Sequence, residues 1–386
     1  MQKPSNRTTF HLWLPNIFEF KGGIQVYLAV FLKALQSLYP HSDYEVFLKH
    51  DTRSLPDLSF LTNTKFHFYG TWPVPLRTAV FAAQIAGFGL WQRPSLVIST
   101  HINFTPAAYW LKRLAGVPYW AIAYGTDAWN IERKALQRGL HHADRILSIS
   151  SYTRDRLLKE QNLDPANISL LPCTFDATRF QIAPKPQHLL NRYRLAADQP
   201  IIVTVGRLDS TEQYKGYDQI LRALPEIRRQ IPNVHYILVG QGSDRLRIEQ
   251  LIAQLNLQEC VTLAGFVPDN EINNYYNLCD VFAMPSKGEG FGIVYLEALA
   301  CGKPTLGGNQ DGAIDALCHG ELGALVDPDD LGAIAETLIQ ILQGTSSNPI
   351  LYQPEALRKK VIEKFGFDCF KQKLDALMEG SPRVDA

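Results

Sequence analysis

Short apolar runs of strand length alternate with longer stretches of helical period along almost the whole chain, and the alternation lapses once. Strand, helix and strand in succession build a parallel sheet covered by helices, so two such series mean two sheet-centred domains. In the first series strands are expected at Phe10–Leu14, Tyr44–Leu48, Lys65–Tyr69, Leu96–Ser99, Tyr119–Tyr124, Arg145–Ile149 and Ile168–Leu171. The second runs from a strand at Ile201–Val205 and a helix at Tyr217–Gln230 to a strand at Ala324–Val326 and a helix at Leu331–Leu342. Between them Pro184, Pro186 and polar residues read as a linker. The expected division is an N-terminal domain over 1–183, a linker over 184–199, a C-terminal domain over 200–365 and a terminal helix over 366–386. The fold class expected is α/β, with two doubly wound, Rossmann-like parallel sheets facing a cleft. Such sheets bind ligands at the carboxyl ends of their strands, which makes that cleft the expected active site.

Composition narrows the function. The chain has 38 basic and 38 acidic residues among 386, and a balanced charge argues against a protein built to grip nucleic acid. Six scattered cysteines include no C-x-x-C pair, so zinc ribbons find no support and reduced, buried thiols are expected. The run Phe10–Leu14, stopped by Pro15, is too short for a signal-peptide core. Ala79–Trp91, the longest apolar stretch, falls short of the roughly 20 residues that span a bilayer. A cytoplasmic protein is expected, with peripheral contact at the inner face of the plasma membrane as an option. The apolar stretches Leu76–Trp91 and Tyr109–Arg113 offer themselves for that contact, although buried core is the preferred reading of both.

Several nucleotide and metal signatures fail. No G-x-x-x-x-G-K-[ST] occurs, and Gly240-Gln241-Gly242 meets Arg245 where a dinucleotide fingerprint needs a third glycine. Asp327-Pro328-Asp329 imitates a metal triplet but precedes a helix and reads as a turn and N-cap, so no metal is expected.

What remains is Gly288-Glu289-Gly290-Phe291-Gly292-Ile293-Val294-Tyr295-Leu296-Glu297, continuing to Ala298-Leu299-Ala300-Cys301-Gly302-Lys303-Pro304. A strand runs into a glycine-rich turn from which a helix starts near Gly292, and amides at such a start favour an anion. Glu297, on an otherwise apolar helix, needs a partner, which paired sugar or ribose hydroxyls would supply, as would a salt bridge. Gly206-Arg207-Leu208 followed by Lys215-Gly216 sets two cations near a strand end, suited to a pyrophosphate; read alone they are solvated loop residues as readily. Lys21-Gly22-Gly23 is a weaker glycine turn after the first strand.

The Glu289-to-Glu297 block resembles the signature of the family 4 retaining glycosyltransferases, which have the GT-B architecture. Gly265-Phe266-Val267-Pro268 resembles that family's base-binding loop, and Gly307–Gly312 its Gly-Gly segment near the donor sugar. The resemblance implies that Arg207 and Lys215 hold the donor pyrophosphate and stabilise the leaving nucleoside diphosphate. It implies that Glu289 meets the sugar hydroxyls and Glu297 the ribose. Gly22, Gly23, Gly206, Val267, Gly290, Phe291, Gly292, Ile293 and Val294 would complete the donor site. Tyr124 stands where the family often has a histidine, and His101 matches another family histidine, unless it is a satisfied loop residue. The activity implied is transfer of a hexose, glucose from UDP-glucose by frequency in the family, to a hydroxyl of a polysaccharide or lipid-linked glycan. The resemblance implies no cofactor. A nucleotide-sugar epimerase or phosphorylase, or a silent sugar-nucleotide-binding protein on this fold, are the alternatives.

Overall fold

The computed structural model describes residues 8–19, 22–53 and 63–379, so Lys21 lies outside the described residues. The chain forms two compact units, Met1–Thr174 with Phe367–Ala386, and Phe175–Gly366.

In the first unit the order is β1 (Thr9–Leu14), α1 (Gly23–Leu38), β2 (Asp43–Leu48), β3 (Thr64–Phe68), α2 (Val74–Gln92), β4 (Leu96–Ser99) and α3 (Thr105–Ala115). It continues with β5 (Tyr119–Ala123), α4 (Lys134–His141), β6 (Arg145–Ser148), α5 (Ser151–Gln161) and β7 (Ile168–Leu170). The second unit holds α6 (Gln187–Tyr193), β8 (Ile201–Val205), α7 (Tyr217–Gln230), β9 (His235–Val239), α8 (Arg245–Gln254), β10 (Val261–Gly265) and α9 (Ile272–Leu278). After these come β11 (Val281–Met284), α10 (Ile293–Ala300), β12 (Thr305–Gly308), α11 (Ala313–Ala316), β13 (Ala324–Val326), α12 (Leu331–Leu342) and α13 (Pro354–Phe365). The terminal helix α14 (Phe367–Glu379) belongs to the first unit and packs on α1. Its Phe370 ring meets Tyr27 edge-on at 5.6 Å.

Each unit is a doubly wound, Rossmann-like parallel sheet, with strand orders β3-β2-β1-β4-β5-β6-β7 and β10-β9-β8-β11-β12-β13. Every strand pair is parallel, and the strand order reverses beside β1 in one sheet and beside β8 in the other. Central strands such as Ile201-Ile202-Val203 and Tyr236-Ile237-Leu238 are buried throughout because helices cover both faces. Side chains cap the helix starts where the sequence offers them: the Thr153 amide donates to Ser150 Oγ at 3.1 Å and the Ala333 amide to Asp330 Oδ1 at 2.9 Å.

Three expectations need correction. Helix α2 is mostly exposed rather than core, with only Phe81, Ile85 and Gly89 buried. Its apolar residues run around the whole helix, whereas one sheet face can cover a single i, i+4, i+8 stripe. Val74 and Trp91 are therefore 74% and 78% exposed. Within Tyr109–Arg113 of α3 only Leu111 is buried, and Trp110 is exposed. All six cysteines are free, but Cys318 and Cys369 are only partly buried. The 184–199 stretch contains α6, whose Leu189 and Leu190 are buried, so it is more ordered than a linker. No helix among the described residues is long and apolar enough to cross a membrane.

Leu238, fully buried in β9, and Leu246, 72% exposed on α8, offer a direct comparison. Leu238→Ala is expected to cost about 2–5 kcal/mol in denaturant unfolding, and Leu246→Ala under about 0.5 kcal/mol.

Candidate functional site

Strand β8 ends at Val205, and the chain turns out of the sheet at Gly206 with its amide bonded to Val239 O at 3.0 Å. The Lys215 side chain lies along Gly206, where a Cβ would stand 3.0 Å from Lys215 Cδ. Arg207 follows, then a loop that closes in a 3-10 turn, Gln213–Lys215, before α7. Gly216 joins turn and helix with φ +81°, and a Cβ there would stand 2.2 Å from Pro285 O, so glycine is required.

This path brings Arg207 and Lys215 onto one carboxylate that sequence reasoning missed. Glu212, 8% exposed, pairs with Arg207 and lies 3.5 Å from Lys215 Nζ. Lys215 Nζ also donates to Glu289 Oε2 at 3.0 Å, joining the cation loop to the glycine-rich turn. Burial alone would lower the Lys215 pKa, but Glu289, Tyr214 and Glu212 more than reverse it, so the ammonium is held charged well above its usual range.

Asp311 organises the turn that carries Glu289. Its Oδ2 accepts the Gly288 and Glu289 amides at 2.8 and 2.7 Å, and its Oδ1 accepts the Ala313 amide at 2.9 Å. The Gly312 amide returns to Glu289 O at 2.9 Å, so the Glu289 backbone is held on both sides. Asp311 is fully buried, and burial raises its carboxyl pKa. Beyond Gly290 and Phe291 comes Gly292 at φ +87°, where a Cβ would meet the Tyr295 ring at 2.4 Å. The Phe291 side chain is core, with its ring 5.6 Å from Phe365, while Ile293 and Val294 are partly exposed.

Glu297, within α10, is not part of this ion network. Tyr276 donates its hydroxyl to Glu297 Oε2 at 2.6 Å, a partner the sequence did not reveal. Val267, partly buried, lies in the loop after β10 beside the exposed Phe266. The Asp327–Asp329 segment is a turn: Asp327 Oδ1 accepts the Asp329 amide at 2.9 Å, and Asp330, not either of these, caps α12. Among the described residues no three His, Cys, Asp or Glu side chains group in a way that could hold a metal ion.

The other candidates lie at strand ends of the first unit. Gly22 is the extended residue before α1, and Gly23 is its first residue. His101 follows β4, and its Nδ1 accepts the Asn103 amide at 3.1 Å. Burial and the nearby Lys49 and His50 hold its pKa down at about 4. Tyr124 is 6% exposed and edge-on to Tyr27 at 5.6 Å. Its hydroxyl is buried with no hydrogen-bond partner among the described residues. Three residues on, Asp127 accepts the Tyr124 amide at 3.1 Å, and burial pushes its carboxyl up to about 7.

Burial likewise pushes Glu297 up from 4.5 to about 7, against the lowering effect of the Tyr276 hydroxyl and Arg179. A carboxyl raised on folding binds more protons folded than unfolded, so its contribution is full below the unfolded value and is lost as pH rises through the folded one. Glu297→Gln removes this titration. The unfolding free energy of wild type minus variant is expected to fall by about 1–3 kcal/mol between roughly pH 5 and pH 8 in denaturant titrations. An unchanged difference would mean the carboxyl titrates normally.

The family model described as glycosyl transferases group 1 matches residues 188–361, and that described as glycosyltransferase family 4 matches residues 21–179. A GDP-mannose-dependent alpha-(1-6)-phosphatidylinositol monomannoside mannosyltransferase of Mycolicibacterium smegmatis is 35% identical over 222 residues, 55% of this chain and 56% of that protein. The chain thus spans little more than half the length of such curated relatives. Anabaena HepE, solved in complex with UDP, superposes with a TM-score of 0.77 at 17% identity, covering 96% of this chain and 99% of that one. Sucrose-phosphate synthase of Thermosynechococcus elongatus gives 0.78 at 21% identity, covering 97% and 98%. At those identities the structural likeness is one of fold, and the fold is that of GT-B enzymes. With both units matched by glycosyltransferase models and both sheets doubly wound, the chain belongs to the family 4 glycosyltransferases.

Proposed function

We propose that the protein is a retaining glycosyltransferase that moves a hexose from a nucleotide-sugar donor to a hydroxyl of a polysaccharide or lipid-linked glycan, with no metal cofactor. The observation that carries this reading is the Arg207–Glu212–Lys215–Glu289 network beside the glycine-rich start of α10. A donor pyrophosphate offers Arg207 and Lys215 better anionic partners than Glu212, and release of Glu289 from Lys215 frees its carboxylate for sugar hydroxyls. The amides of Gly290, Phe291, Gly292, Ile293 and Val294 lie at the same strand end, and Glu297 takes the ribose hydroxyls. Negative charge grows on the leaving phosphate in the transition state, so cations already fixed there lower the barrier. The donor's own phosphate then helps to take the proton of the attacking hydroxyl.

UDP-glucose is the donor that the family resemblance implies, by its frequency there. A second reading, GDP-mannose, is favoured by the names of the relatives at 33–35% identity, which are GDP-mannose-dependent mannosyltransferases. The acceptor reading is supported by the exposed apolar face of the first unit. Trp91 and Leu90 of α2 and Trp110 and Leu114 of α3 are all exposed on two helices that pack on each other, as suits peripheral contact with a membrane.

Calorimetry without metal, with UDP-glucose and GDP-mannose on wild type, Lys215→Ala and Glu297→Ala, tests the function. One donor is expected to bind the wild type and to bind both variants more weakly. Lys215→Ala is expected to lower turnover by about 10²–10³-fold. Absence of binding by any nucleotide sugar to the folded protein would overturn the reading.

A further inference from the structure

A second group of cations lies outside the donor network, at the carboxyl end of the first sheet. Lys49 and His50 follow β2 directly, and their amides donate to Leu14 O at 3.0 Å and Pro15 O at 2.8 Å, alongside the exit of β1. On the other side of β1 the Thr100 amide donates to Trp13 O at 3.1 Å, and His101 follows. The strand order β2-β1-β4 therefore sets Lys49 and His101 astride the end of β1, where the sheet order reverses. Arg77 comes from the first turn of α2, with one guanidinium nitrogen 3.4 Å from His50 Nδ1 and another donating to Gly70 O at 2.6 Å.

Among the described residues none of these four side chains forms an ion pair with a carboxylate. Arg77 spends its hydrogen bonds on neutral acceptors, Gly70 O, Trp72 O and the His50 imidazole. The carboxylate facing the group is Asp51, but its oxygens already accept the amides of Ile17, Phe18 and Glu19. Burial and mutual repulsion depress Lys49, His50 and His101 together. Arginine can only donate, so His50 Nδ1 accepts from it, just as His101 Nδ1 accepts from Asn103. Each neutral imidazole is left with an Nε2–H to give.

We propose that Lys49, His50, Arg77 and His101 form a binding site for a phosphate group of the acceptor substrate. Two fixed cations match a dianion, and two imidazole N–H groups supply donors for its remaining oxygens. The end of β1, beside the reversal of strand order, is where a doubly wound sheet takes a ligand. Exposed Trp72, Val74 and Leu76 adjoin Arg77 in the same turn, so a phosphate here has apolar surface next to it. The term acceptor rests on the transferase reading; the phosphate site does not.

The test uses the full chain carrying Lys215→Ala, so that added phosphate does not report from the donor cations. The histidine ring signals are followed by proton NMR as inorganic phosphate is titrated, with His50→Gln and His101→Gln assigning two of them. Saturable shifts of both signals are expected, with their pKa values rising on binding. Lys49→Ala is expected to weaken the phosphate affinity tenfold or more, and Lys49→Arg to retain it, with melting curves showing both folded. Flotation with phosphatidylcholine vesicles, with and without phosphatidylinositol, separates the sources. Binding that needs phosphatidylinositol and Lys49 assigns a lipid headgroup, and phosphate binding without vesicle binding assigns a soluble phosphorylated acceptor. Unshifted histidine signals, or an affinity unchanged in Lys49→Ala, would overturn the site. Because no donor is present, these results stand apart from any failure of nucleotide sugars to bind.

Discussion

A lysine pulled into a protein must be paired or lose its proton, and the second unit is arranged around keeping Lys215 paired. Glu212 reaches it from its own loop and Glu289 from the turn after β11, at 3.5 and 3.0 Å. Those contacts require the β8 loop to double back through Gly216 and the β11 turn to lie against Asp311. Asp311, in turn, is tolerable as a buried carboxylate because three amides converge on it. Removing one member of such a chain leaves the next as an uncompensated buried charge, so these residues act as a set. The unliganded site is thus a nearly neutral, preassembled network rather than a bare positive patch.

The first unit shows a different solution. Its basic groups at the end of β1 form no ion pair with a carboxylate among the described residues, and burial together with mutual repulsion holds Lys49, His50 and His101 below their usual values. Cations matched inside the protein hold their geometry between turnovers. Cations left to repel are stabilised by whatever anion arrives, which makes ligand binding and local order one event.

The division of the fold into two parallel sheets was legible because Ile/Val-rich strands buried on both faces leave continuous apolar runs at regular spacing. The positions of Arg207, Lys215, Glu289 and Glu297 were legible because glycines and charges stand at fixed offsets around β8 and α10. Their partners were not. Glu212 looks like any loop acid until Gly216 folds the loop, and Asp311 lies 22 residues from the Glu289 amide it accepts. Tyr276 lies 21 residues from Glu297, and a tyrosine within the short helix Ile272–Leu278 gives no sign of a carboxylate partner. Nor does the place of Tyr124 after β5 reveal that its ring packs edge-on against Tyr27. Helix α2 misled because an apolar sequence without a polar face does not say how much of it a neighbour can cover.

Helix α14 closes the first unit from the far end of the chain, its Phe370 lying against Tyr27 and Phe31 of α1. The whole second unit, Phe175–Gly366, is made between the body of the first unit and this helix. During synthesis, therefore, the first sheet can assemble early yet waits with the aromatic face of α1 uncovered until α14 leaves the ribosome. The second unit, contiguous in sequence, can fold during that interval. Order of emergence and order of completion are reversed for the two halves, and the early half spends that time as the aggregation-prone one.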